Sequence, residues 1–131
     1  MVFKTRNEIH PDYAYICCEG EFDQERIPKL LSKAFDLAKR SGRKAALVDI
    51  RELHGPPPTA FDRFFIAELI AKLNLTQGRG IFLAIVGNVP IIDPKRFGET
   101  SATNRGALIK VFTKIDNATT WLKFNVENKR K

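Results

Sequence analysis

A chain of 131 residues has room for one domain, and at that length folding buries roughly two-thirds of the surface the unfolded chain exposes, so neither disulfide nor metal is needed to hold it. Hydrophobic residues at 44% and charged residues at 28% exclude a disordered or a fibrous chain. The net charge of +7 is uneven, with −4 over residues 1–25 and +11 over the remainder.

Two short strands open the chain, near Phe3–Glu8 and Tyr13–Glu19, joined by a tight turn at His10, Pro11 and Asp12. Cys17 and Cys18 are neighbours on the second strand and so point to opposite faces, where they can neither bridge readily nor chelate one ion together. They read as buried structural thiols in a reducing compartment. The N-terminus lacks a basic stretch followed by an apolar core, and no segment approaches the ~20 apolar residues of a membrane span, so a soluble cytoplasmic protein is expected. Asp23 then caps a helix in which Ile27, Leu30, Leu31, Ala34, Phe35 and Ala38 recur at helical spacing, with Pro28 near its start and Gly42 at its end. Ala45–Ile50 and Ile81–Val86 are near-continuous apolar runs of the kind found in strands covered on both faces of a parallel sheet. Between them lies a helix over Thr59–Asn74. A weaker helix is opened by Asp93 and Pro94. Leu108–Phe112 supplies a fifth strand, and Thr113 with Asp116 marks a capping box for a closing helix in which Trp121 is a core anchor. The expected architecture is a single α/β domain over residues 1–125, a mixed five-stranded sheet with an N-terminal hairpin and about four helices, followed by a basic tail over 126–131.

The junction from Ala46 to Phe65 concentrates the candidate chemistry. Asp49 lies near a strand's carboxyl end, the edge of an open α/β sheet where ligands usually bind. Gly55 and three prolines then make a stiff extended connector, leaving Thr59 to cap the next helix by accepting from the backbone near Asp62. On that helix Phe65, Ile66, Leu69 and Leu73 form one apolar stripe, expected to be core, whereas Phe61 and Phe64 fall on the side of Glu68 and Lys72. Those two rings either tuck beneath neighbouring loops or line a pocket or docking surface; pairing with a second copy would also cover them. Asp49 and His54 would serve an enzyme only by converging in one cleft, and no nucleophile elbow accompanies them. His10 and His54 have no carboxylates at metal-binding spacing, and Gly78-Arg79-Gly80 precedes a strand, so it reads as a turn and not a phosphate cradle. No catalytic residue, metal or cofactor is assigned.

Basic residues gather at Lys29, Lys33, Lys39, Arg40, Arg43, Lys44 and the tail Lys129-Arg130-Lys131. They read as solvated helix faces, with an anionic lipid or an acidic protein as the alternative. Nucleic acid is set aside, because no exposed aromatics interleave with the cations. Arg105, in an Asn-Arg-Gly turn, either pairs with Glu99 or Asp93 or offers its guanidinium to an anionic head group.

Glu19-Gly20-Glu21-Phe22-Asp23, Leu47-Val48-Asp49, Val86-Gly87, Asn104-Arg105-Gly106, Val111-Phe112-Thr113, Ala118 and Trp121-Leu122 follow one another in a pattern that resembles the bacterial SpoIIAA-like proteins. These belong to the STAS class, named for sulfate transporters and anti-sigma-factor antagonists. The resemblance implies a small α/β domain without known catalysis, acting through protein contacts or by binding small ligands or lipid. In the antagonists a phosphorylated Ser opens the helix after the central strand, in an Asp-Ser-x-Gly setting. Pro58 or Thr59 holds that position here, and Thr59 is the hydroxyl able to stand in for it. The first reading is a binding domain for an apolar or amphipathic small molecule, or a membrane surface, contacted by Phe61, Phe64, Phe65 and Arg105 near Asp49 and His54. The alternative is a regulatory module that docks a protein partner through the same helix, switched at Thr59.

Overall fold

The computed structural model describes residues 4–89, 91–92 and 108–129. Five strands, β1 (Lys4–Ile9), β2 (Ala14–Glu21), β3 (Ala45–His54), β4 (Phe82–Val86) and β5 (Ile109–Phe112), form one sheet in sequential order. β1 and β2 are an antiparallel hairpin, and β2 to β5 run parallel. β3 is added beyond β2 and β4 beyond β3 in the same direction, so right-handed crossovers between them fall on one face of the sheet. Helices α1 (Ile27–Arg40) and α2 (Ala60–Leu75), which make the β2–β3 and β3–β4 crossovers, do share that face. A third helix, α3 (Ile115–Lys129), follows β5 and covers the other face over β3, β4 and β5.

Strand alternation divides the core cleanly. Ala14, Ile16, Cys18, Ala46, Val48, Leu83 and Ile85 face α1 and α2, whereas Tyr15, Cys17, Leu47, Ala84 and Val86 face α3. The adjacent cysteines are therefore both buried, free and on opposite sides of the sheet. Burial pushes the Cys18 thiol up to about 11, which keeps it protonated and unreactive near neutral pH.

Helix α1 matches its sequence pattern, burying all six of its periodic residues. Asp23 caps a short 3-10 turn, Gln24–Arg26, that leads into it, and Gly42 leaves it with φ +71°. Gly87, just after β4, is required by close packing: a Cβ there would come within 2.9 Å of both Ile92 and Ile50. Trp121 is half-buried and anchors α3 between Phe82 and Phe112, with ring centroids 5.9 and 5.8 Å away.

Among the described residues there are three α-helices where about four were expected; the one opened by Asp93 and Pro94 lies outside those residues. Strand β3 also runs on to His54, four residues past the expected end. A register shift opposite Cys17–Glu19 accommodates an extra β3 residue between Asp49 and Glu52.

Candidate functional site

The carboxyl end of β3 delivers the chain through Gly55 and the prolines to Thr59, which caps α2 as its spacing requires. The Thr59 Oγ1 accepts from the Asp62 N–H at 3.1 Å, and the Asp62 carboxylate accepts from the Thr59 N–H at 3.2 Å, a reciprocal capping box.

Phe61 is 79% exposed, Phe65 56% and Phe64 41%. Exposure of Phe61 and Phe64 follows the helical projection, but Phe65 corrects it, since it leaves the stripe expected to be core. The helix is apolar nearly all round, so hydrophobicity selects no face; size does. Ala67, Ala71 and Asn74, at about 220–280° from Phe61 around the helix, are the residues small enough or bonded well enough to be buried, with Ile66, Ile70 and Leu73 packed beside them. Phe65, at about 40°, is turned outward with Phe61.

Asn74 is the anchor that the sequence does not advertise. Buried to 1% exposure, it donates from Nδ2 to the Ile81 carbonyl at 2.8 Å and accepts at Oδ1 from the Leu108 N–H at 2.9 Å. One side chain thereby ties the end of α2 to the starts of β4 and β5. At the other end of the helix Arg63 Nη1 donates to the Ile91 carbonyl at 3.0 Å.

Between α2, α1 and the sheet lies an apolar cavity of about 120 Å³, lined among others by Leu30, Val48, Ile50, Ile66, Ile70 and Val111, with Arg63 as its charged wall. Phe61, Phe64 and Phe65 do not line it; they stand on the outer side of the same helix.

Asp49 belongs elsewhere. It is 2% exposed and alternates onto the α3 face with Leu47 and Tyr15. The Tyr15 hydroxyl donates to Oδ2 at 2.7 Å, Arg51 donates to both oxygens at 2.9 and 2.8 Å, and the Arg51 N–H adds a further bond at 3.1 Å. Burial favours the neutral acid, yet the Arg51 and Tyr15 hydrogen bonds outweigh it and hold the carboxyl below its ordinary range. A carboxylate saturated in this way is structural and not a poised base. His54 is exposed at the end of β3, and its backbone carbonyl accepts from Phe22 at 2.8 Å. The structure thus groups Thr59, Phe61, Phe64 and Phe65 on one helix end and does not assemble Asp49 and His54 into a cleft. Arg105 lies outside the described residues. The Asp49–Arg51 pair was legible as i, i+2 residues on one strand face; Tyr15, 34 residues away, was not.

Among the described residues no three His, Cys, Asp or Glu side chains gather closely enough to hold a metal ion, and no helix is long and apolar enough to cross a membrane. No family model matches the chain, and no curated protein matches it. In three dimensions it is similar to the crystal structure of an anti-sigma factor antagonist from Mycobacterium paratuberculosis. The superposition covers 93% of this chain and 95% of that one, with a TM-score of 0.60 and 16% sequence identity.

Proposed function

From the STAS-like fold of this chain, we propose that it is a non-enzymatic regulatory module that binds a protein partner through the outer face of α2. The observation that carries this reading is the exposure of Phe61 and Phe65 on a helix whose inner face is already occupied by small residues. Each ring can bury ~150–250 Å² against a partner, and aromatic anchors of this kind dominate interface energetics. The solved neighbour is an anti-sigma factor antagonist by description, which favours a protein partner over other occupants. Thr59 is the residue at which such a contact would be switched: a phosphate there would sit at the N-terminus of α2, one residue before the helix begins, where negative charge is favoured.

The test is affinity capture from the source cells with wild type and with the F61S/F65S double variant, followed by reconstitution with the purified partner. A purified partner that binds wild type and is lost on double substitution supports the reading. Concentration-dependent self-association lost in the same variant would replace it with a homodimer, and equal binding by both chains would remove α2 from the interface.

The cavity favours a second reading, in which α2 encloses an apolar or amphipathic small molecule. The pocket opens to the surface and its walls are almost wholly apolar, which suits an apolar guest. Native mass spectrometry of the purified chain would show such a guest directly. Flotation with vesicles, abolished by F61S/F65S, would instead assign the rings to a membrane surface. Neither reading calls on a cofactor or on nucleic acid.

A further inference from the structure

At the end of the sheet opposite Thr59, where the parallel strands begin, a cleft of about 260 Å³ is lined by Lys39, Gly42, Arg43, Lys44, Arg79, Gly80 and Ile81. Four cations from the end of α1, the turn into β3 and the turn into β4 converge on it, and no acidic side chain among the described residues lines it. Among the described residues no carboxylate pairs with Lys39, Lys44 or Arg79, whereas Arg40, on the same helix, is paired with Asp36. Arg43 is held in place by two carbonyls, with Nε donating to His10 at 2.7 Å and Nη1 to Ser41 at 2.6 Å, which leaves Nη2 uncommitted. A helix C-terminus normally opposes an anion through its bare carbonyls. Here those of Leu37, Ala38 and Lys39 are taken by the backbone N–H groups of Ser41, Arg43 and Gly42, so the cations dominate the local field. Gly42, at φ +71°, lets the chain turn out of α1 at the edge of the cleft.

We propose that this cleft binds the phosphate group of a phosphomonoester. The geometry suits a dianion, since several uncommitted donors on short turns surround a pocket without acidic walls. The phosphate could be borne by a soluble small molecule or by a lipid head group, and the chemistry at the cleft is the same for both.

The experiment titrates glycerol 3-phosphate, a simple phosphomonoester, into the isotope-labelled full chain and follows the amides of Gly42, Lys44 and Gly80 by NMR. Saturable shifts at these amides are expected, and the K44E/R79E double variant should weaken binding by about tenfold or more. K123E, on an exposed lysine of α3, should bind as wild type does. Matching thermal midpoints for all variants establish that each is folded. Absence of saturable shifts at the cleft, or equal weakening by K123E, overturns the proposal, because the attraction would then be that of net charge alone. A second arm uses phosphatidylcholine vesicles with and without phosphatidylinositol phosphate. Sedimentation with the phosphorylated vesicles, lost in K44E/R79E, assigns the group to a lipid; glycerol 3-phosphate binding without sedimentation assigns it to a soluble molecule.

Discussion

Helices α1 and α2 lie side by side on one face of the same sheet, yet they spend their apolar residues differently. In α1 six periodic residues are buried, Phe35 among them completely, and the opposite face is charged. In α2 the buried positions are two alanines and an asparagine, while three phenylalanines stand outward. Helix α2 packs mainly on α1, and part of the space between it and the strands is cavity. The first helix completes the fold; the second is carried by it and presents a surface.

The sharpest way to break this contrast is to treat the same residue type in both helices. Phe35→Ala should cost about 3–5 kcal/mol, read as a lower midpoint in urea, since it empties a fully buried site in the main cluster. Asn74→Ala comes next, at about 2–3 kcal/mol, because it strands the Ile81 carbonyl and the Leu108 N–H together. If that loss is much smaller, α2 is not anchored where the geometry places its anchor.

Acid provides a control on the far face. The folded Asp49 carboxyl is held below its ordinary range and the unfolded one titrates near ~3.9. The unfolded chain therefore binds that proton more readily, so the contribution is complete above ~3.9 and is lost as pH falls through the lower folded value. In urea melts across this acidic window, Asp49→Asn should flatten the pH dependence, whereas F61S/F65S should leave its slope unchanged. The smallest effect belongs to the outward rings: F61S/F65S should shift stability by only about 0.5 kcal/mol, by the same melts, while abolishing partner binding. A large stability loss there would mean that α2 is core after all, and the contrast with α1 would fail.

Much of this architecture is written in local pattern. The opposite-facing cysteines, the doubly covered strands β3 and β4, the amphipathic α1 and the Thr59 cap each depend on neighbours within a few residues. The orientation of α2 was legible only in part: Phe61 and Phe64 fall outward as projected, but apolar residues surround the helix and the choice of inner face falls to Ala67 and Ala71 fitting where Phe65 does not. Nor was the fate of Asp49: a carboxylate near a strand end looks like chemistry until Tyr15 and Arg51 are seen to occupy both of its oxygens. Asn74 reads as an ordinary helix-end polar residue, since both of its partners are supplied by tertiary structure.

The two hydrogen bonds made by Asn74 also bear on the order in which the protein assembles. Its acceptor is met by the N–H of Leu108, 34 residues further along the chain, so the last turn of α2 is not complete until β5 has been laid against β4. The final turn of α2 and the last strand of the sheet should therefore open and close as one cooperative unit in native-state hydrogen exchange. The amides of Leu108 and of the residues around Asn74 should share one opening free energy, while the first turn of α2, held by its capping box and by Arg63 on the Ile91 carbonyl, exchanges independently of them.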